Sequence, residues 1–333
     1  MKEPRPLISI VTPVYREAAN IERFFERASA AVKDRDFDVE FIFVNDGSPD
    51  DSLAILRRLA ATDSRVRVIS FIRNFGAIAG YTAGARHSSG DAAVLIASDL
   101  QDPPELIPQM VERWRQGHDV VWAVRDGRDD PWLKTALAQS FYAVVRLLVF
   151  PDYPRGGTDV FLMSRRALDV FHSLPERDSS PFFAVYAYGF PEARIPYRRG
   201  PRTAGESGWP FWKRVKNAID VITSFSYAPL RLISATGFVF AILAFLAGLI
   251  IAYRRLVLDL GTEGWPSLAV LILFIGGVQI MFLGILAEYL WRIAEQSRQR
   301  PRYIIGERIG SWPPIERRKL DPLDLDVSAP PTH

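Results

Sequence analysis

Two apolar blocks near the C-terminus constrain this chain more than any other feature. Leu232–Tyr253 is 22 residues without a charge, and in the 23 residues of Trp265–Ala287 the one strongly polar side chain is Gln279. A helix needs roughly 20 apolar residues to cross a bilayer, so each block is long enough. The expectation is a transmembrane hairpin, with a pair of buried core helices as the alternative. Arg198–Arg231 holds seven Lys and Arg before the first block and Arg292–Arg308 holds five after the second, while the connection holds Arg254 and Arg255. Cations accumulate on the cytoplasmic side, which puts both termini there. Just upstream, Trp209–Tyr227 carries Phe211, Trp212, Val215, Ile219 and Ile222 on one helical face and Lys213, Arg214, Lys216, Asn217 and Asp220 on the other. That pattern predicts a helix lying in a membrane interface, with an ordinary surface helix as the alternative.

The N-terminal half follows a different rule. From Leu7 to about Val124, short apolar runs alternate with amphipathic stretches, the pattern of βαβ units in an α/β domain with a mostly parallel sheet. Strands are expected at Leu7–Val14, Val39–Val44, Val66–Phe71, Ala92–Ala97 and Val120–Val124. Ile21, Phe24, Phe25 and Ala28 recur at spacings of three and four and predict a helix over Asn20–Ala31. Ser48-Pro49-Asp50-Asp51 and Asp102-Pro103-Pro104-Glu105 both read as capped helix starts, with Ser48 and Asp102 as the caps. Met1–Pro6 runs straight into the first strand without the apolar core of a signal peptide, so the domain is expected to remain on the side where it is made. The expected organisation is a catalytic domain over 1–208 and an interfacial helix over 209–230. Two spans follow within 231–293, at about 232–253 and 265–287, and then a C-terminal tail over 294–333, disordered beyond Lys319.

In an open α/β sheet, ligands bind outside the carboxyl ends of the strands. Those ends carry Thr12-Pro13-Val14-Tyr15-Arg16-Glu17, Asn45-Asp46-Gly47-Ser48 and Ser98-Asp99-Leu100-Gln101-Asp102. None is a glycine-rich phosphate loop, which argues against a dinucleotide or P-loop enzyme. Acids at three strand ends suit a site where carboxylates hold base and ribose and a divalent cation neutralises a diphosphate. The chain has no cysteine, excluding disulfides and thiolate metal sites, and its four histidines, His87, His118, His172 and His333, form no spaced ligand set. With a net charge of +3, no nucleic-acid partner is expected.

The ordered set TPVYREAANI, FVNDGSPDDS, RNFGAIAGYTAG and SDLQDPPELI, followed by the two apolar blocks and YLWRIAEQSRQRPRYII, resembles the inverting family 2 glycosyltransferases. Within them it is similar to the polyisoprenyl-phosphate hexosyltransferases related to dolichyl-phosphate mannose synthase and bacterial undecaprenyl-phosphate glucosyltransferases. The resemblance runs over about Leu7–Arg308. It implies a GT-A domain, a nucleotide-sugar donor, a polyprenyl phosphate acceptor, a lipid bilayer and a Mg²⁺ or Mn²⁺ ion, and it leaves a homo-oligomer open. It places Pro13, Tyr15, Glu17, Asp46 and Ser98 around the nucleotide-sugar and Asp99 and Gln101 on the metal. Relatives usually carry Asp-x-Asp here, and in this chain the first acid is Ala97. The usual Asn after the Tyr is Arg16.

The same resemblance assigns Arg125, Arg128 and Lys134 to the acceptor phosphate, whose oxygens suit guanidinium groups. Lipid headgroup contact is the alternative for Arg128 and Lys134. Arg198, Arg199 and Arg202 precede Gly205-Glu206-Ser207 and match the family's mobile arginine loop, with Arg202 also counted among the acceptor ligands. Asp159 sits where relatives carry a catalytic acid near the acceptor. Yet a phosphate monoester is already largely dianionic at neutral pH, so Asp159 either serves as base or orients acceptor or metal. The implied reaction is inverting transfer of a hexose, glucose from UDP-glucose first, to polyprenyl phosphate for cell-surface glycan modification. The alternatives are a GDP-mannose-using enzyme and a non-catalytic scaffold or nucleotide-sugar sensor, the last motivated by Ala97. A polysaccharide synthase would carry Q-x-x-R-W and more spans; neither is present.

Overall fold

The computed structural model describes residues 5–126, 143–147, 149–154, 158–173, 181–200, 226, 228–257, 264–297, 301–312 and 325–326. The chain divides into two compact units, one made of Met1–Ala218 with Gln299–His333 and the other of Ile219–Arg298.

The first unit is built on strands β1 (Leu7–Val14), β2 (Asp38–Asn45), β3 (Val66–Phe71), β4 (Ala92–Leu95), β5 (Val120–Arg125), β6 (Val160–Ser164), β7 (Glu192–Tyr197), β8 (Ile304–Ile309) and β9 (Leu325–Asp326). Among the described residues they form one sheet in the order β7-β5-β6-β4-β1-β2-β3-β8-β9. The centre is parallel, with β1 flanked by β2 and β4, as the unbroken apolar runs of these strands require when both faces are covered. Side chains alternate across it. Phe41 and Phe43 pack with Phe24, Leu56, Ile107 and Met110 of α1 (Ile21–Val32), α2 (Ser52–Thr62) and α4 (Ile107–Arg115). Ile42 and Val44 point the other way, toward Ala83, Leu168 and Val185 of α3 (Ala77–Arg86), α5 (Arg165–Ser173) and α6 (Pro181–Ala187).

The expected strands and α1 are found within two residues of their predicted ends. Both expected caps are corrected. α2 starts at Ser52, not after Ser48, because the Ser48 hydroxyl is used elsewhere: it accepts the Arg16 N–H at 2.8 Å and donates to Asp50 at 2.5 Å. Likewise α4 is preceded by a 3₁₀ turn at Pro104–Leu106 whose start has no side-chain cap. Asp102 is drawn into a buried network, and Glu105 is gripped by Arg27 at 2.9 Å.

Two features set the shape of the site edge. β6 runs antiparallel between β4 and β5, so the residue entering it, Asp159, lies level with the strand ends leaving β4 and β5. β5 and β7 are parallel with Arg125 opposite Tyr197. α3 lies close over β1 because it is rich in Ala and Gly. A Cβ on Gly80 would sit 2.8 Å from that of Pro13, and one on Gly84 would overlap Val11. Gly84→Ala is therefore expected to destabilise the domain by about 1–3 kcal/mol through overpacking, despite alanine's better helix propensity. A lowered thermal midpoint checks it.

The segment expected as a tail also contributes to this unit. β8 pairs antiparallel with β3, Tyr303 is fully buried and stacks on Phe71 at 5.0 Å, and Leu325–Asp326 adds two residues beside β8. Strand pairing covers what would otherwise be an open edge at β3.

The second unit contains α7 (Ala228–Leu256) and α8 (Trp265–Ser297). Leu230–Ile250 and Phe274–Trp291 have mean hydropathies of 2.4 and 1.6 and are long enough to cross a membrane. Their apolar side chains, Phe238, Leu243, Phe245, Ile280 and Leu283 among them, are exposed, which separates them from core helices of a soluble protein. The two helices touch through Phe240 and Phe274, and Tyr289 donates to the Ser226 carbonyl at 3.0 Å. The expected interfacial helix over 209–230 lies mostly outside the described residues.

Candidate active site

The chain order reverses across β1, with β2 on one side and β4 on the other, and the crevice at that switch point is where a ligand fits an open α/β sheet. The loops leaving β1 and β2 line it and brace each other. Arg16 has a positive φ of 57°, which turns its N–H onto Ser48, and the Ala18 N–H donates to Asp50 at 3.2 Å. Partial burial pushes the Asp50 carboxyl up, but hydrogen bonds from Ser48, Ser52 and the Ala18 and Ser52 amides outweigh it and hold its pKa below the ordinary value. Tyr15 is 40% exposed beside this loop and Pro13 is half-buried. Glu17 accepts from the Asn20 side chain at 2.5 Å, just ahead of α1.

Asp46 is almost fully buried and its carboxylate faces the protein. It accepts from the Asn74 side chain at 2.9 Å, the Phe75 amide at 2.6 Å and the Gly76 amide at 2.9 Å. Gly47 follows with φ +58°, and a Cβ there would meet the Arg73 backbone, so only glycine lets the 73–76 loop come this close. Asp46 thus shapes the crevice wall.

Across the crevice, Ser98 is buried and donates to the Pro13 carbonyl at 3.4 Å, tying the β4 loop to the β1 loop. Asp99 accepts the Gln101 N–H at 3.1 Å in a tight turn that sets both side chains on one short loop. Among the described residues no three Asp, Glu or His side chains converge into a metal site. One carboxylate and one carboxamide fit a hard cation that takes its remaining oxygens from a diphosphate and water, not a closed protein cage.

The far side of the β4 loop leads into a closed ring of charges. Tyr197 donates to Asp102 Oδ1 at 2.5 Å, and the Arg125 guanidinium faces the same phenol. Arg125 pairs with Asp159 Oδ2, Arg199 pairs with that same oxygen at 3.2 Å, and Arg199 Nε returns to Asp102 Oδ1 at 3.4 Å. Burial first, then the Asp102 carboxylate, push the Tyr197 pKa up, with Arg125 partly offsetting them, so the phenol stays a donor. Tyr81 of α3 is pushed up in the same way, by burial and then by the charges of Asp102 and Asp99, which marks it as a neighbour of both. The Gly200 N–H donates to the Gln101 carbonyl at 2.9 Å, so the chain leaving β7 is fastened to the β4 loop.

Pro13, Tyr15, Glu17, Asp46, Ser98, Asp99, Gln101, Arg125 and Asp159 therefore lie along one sheet edge. Arg125 and Asp159 are in contact, whereas Asp46 turns away toward residues 74–76. Arg128, Lys134 and Arg202 lie outside the described residues. Sequence reading missed Tyr81 and Tyr197 and took Asp102 for a cap. A lone Tyr among Ala and Gly in RNFGAIAGYTAG was the available signal for the first; nothing local marks the second.

Comparison with known proteins supplies the context. The glycosyl transferase family 2 model matches residues 9–171. An uncharacterized glycosyltransferase of Bacillus subtilis strain 168 is 38% identical over 94% of this chain and 96% of that protein. The bactoprenol glucosyl transferase of Shigella phage SfV is 39% identical over 90% of this chain and 97% of its own length. A mannosyltransferase from Pyrobaculum calidifontis, solved with GDP-Man and Mn²⁺, shares the fold at a TM-score of 0.50 and 17% identity, over 87% of this chain and 91% of that one.

Proposed function

Since this chain belongs to glycosyl transferase family 2 and is a glycosyltransferase, we propose that it transfers glucose from UDP-glucose to a polyprenyl phosphate at the cytoplasmic face of a membrane. The observation that carries this reading is the pair of guanidinium groups, Arg125 and Arg199, converging at the sheet edge that also bears Asp99 and Gln101. One end of the site suits a diphosphate and the other a phosphate monoester. The similarity to a bactoprenol glucosyl transferase over 90% of the chain supports the lipid acceptor. Two exposed apolar helices with cations gathered outside them support the bilayer, with the catalytic unit and both termini on the cytoplasmic side.

In this mechanism the β1 and β2 loops hold the nucleotide, with Pro13, Tyr15, Glu17 and Ser98 around it and Asp46 keeping residues 74–76 in place. Asp99 and Gln101 would hold a Mg²⁺ or Mn²⁺ ion, which would supply positive charge opposite the departing nucleoside diphosphate. Arg125 and Arg199, joined by Arg128, Lys134 and Arg202, hold the acceptor phosphate in line with the anomeric carbon. A phosphate oxygen forms the new bond to that carbon, the bond to the diphosphate breaks, and the configuration inverts. The dianionic acceptor needs no deprotonation.

Full-length protein in detergent, given UDP-glucose and undecaprenyl phosphate, is expected to form a lipid-linked glucose. A chelator should cut the rate by at least about a hundredfold, with recovery on adding Mg²⁺ or Mn²⁺. UDP-galactose, UDP-N-acetylglucosamine and GDP-mannose tested separately define the donor. A faster rate with GDP-mannose would replace glucose by mannose, and no lipid-linked product from any donor would overturn the reading.

A further inference from the structure

We propose that Asp159 stands in for an oxygen of the acceptor phosphate, occupying the two-arginine grip until the lipid phosphate displaces it. The inference rests on the reading that Arg125 and Arg199 receive that phosphate. Both guanidinium groups aim at one oxygen, Asp159 Oδ2. Convergence of two arginines on a single oxygen is the arrangement that a phosphate oxygen takes. The partners differ in burial: the Arg125 side chain is 6% exposed and that of Asp159 is 36% exposed. The cation is fixed in the protein, and the carboxylate is the member nearer solvent, able to swing away.

Electrostatics explain why a stand-in is needed. A buried guanidinium without an anion is costly, so Arg125 requires a partner before substrate arrives. Asp102 does not fill that place: it accepts from Tyr197 and pairs with Arg199, whereas Arg125 pairs with Asp159. With Asp159 in place the ring holds two arginines and two aspartates and is neutral. A small free phosphate gains little by entering a neutral site. A phosphate whose polyprenyl chain is held in the bilayer arrives at high effective concentration and can exchange with the carboxylate. Asp159 thereby raises the concentration that any phosphate needs to enter, and the bilayer supplies that concentration to the lipid-borne one.

The test compares the full-length wild type with Asp159→Asn in detergent, using inorganic phosphate as the probe. Removing one negative charge beside the phosphate is expected to tighten inorganic phosphate about tenfold, read as a competitive inhibition constant and by calorimetry. The acceptor KM should fall by a similar factor. Arg199→Gln added to Asp159→Asn should cancel the gain. Unchanged or weaker phosphate binding by Asp159→Asn overturns the proposal, most clearly with a hundredfold or larger loss of kcat, which would put the carboxylate on the reacting atoms. Asp159→Ser replaces the asparagine variant if that fails to fold, folding being read by nucleoside diphosphate binding. Calorimetry separates the two claims: a wild type that glycosylates no polyprenyl phosphate defeats the functional reading, while phosphate affinity alone decides the stand-in.

Discussion

Asp99→Asn is expected to slow sugar transfer by at least about a hundredfold, roughly 3 kcal/mol of transition-state stabilisation, while the protein still folds. The position explains the size. Ala97 leaves this loop without the first acid of Asp-x-Asp, and Asp102 is engaged by Tyr197 and Arg199, so the proposed cation would rely on the Asp99 carboxylate. Its neighbour Gln101 brings a neutral oxygen. Replacing the acid by its amide keeps the shape and the acceptor for the Gln101 N–H, seen at 3.1 Å, so the turn should survive. What is lost is the charge that would face the proposed cation. Initial rates over a Mn²⁺ titration, with thermal unfolding as the folding control, check the expectation. A variant that keeps more than about a tenth of the wild-type rate would remove Asp99 from the metal role.

The second large effect is structural and lies far along the chain. Tyr303→Ala is expected to destabilise the catalytic unit by about 3–5 kcal/mol, the range for emptying an aromatic site in a packed core. Tyr303 is fully buried, stacked on Phe71, and leads into β8, whose Ile305 is also fully buried. The edge it covers includes β3, next to β2 and β1. Beyond it, Glu307 pairs with Arg57 of α2 at 2.5 Å. Thermal unfolding followed by nucleotide protection should show a midpoint many degrees lower, and an unchanged midpoint would mean that β8 is not part of the cooperative unit.

These two residues differ in how readily the sequence reveals them. Asp99 stands at a strand end within a spaced motif, and both strand and motif are local patterns. The same is true of Pro13, Glu17 and Asp46, of α1 with its three- and four-residue spacing, and of the two apolar helices. Tyr303 stands just before a short strand, β8, after a hairpin of more than sixty residues, and the partner strand β3 lies over two hundred residues earlier. Periodicity over six residues of IIGERI does not say which edge it joins. Asp102 failed differently: a local rule for helix caps applied to Asp-Pro-Pro-Glu, but a buried tyrosine hydroxyl and an arginine from beyond β7 competed for the carboxylate and won. A hydrogen bond shielded from water outweighs an exposed cap.

By itself, the sequence determined the first five strands, which helices are long and apolar enough for a bilayer, and where acids stand relative to those strands' ends; β6, β7, β8 and β9 were not read from it. Those are consequences of side-chain period and length, readable residue by residue. Only the tertiary structure decided which charges meet. Antiparallel β6 delivers Asp159 to the edge where β5 and β7 end, and so closes Asp102, Tyr197, Arg125, Asp159 and Arg199 into one ring. Contacts of that kind depend on strand order and direction, which are set by how the whole chain buries its apolar faces.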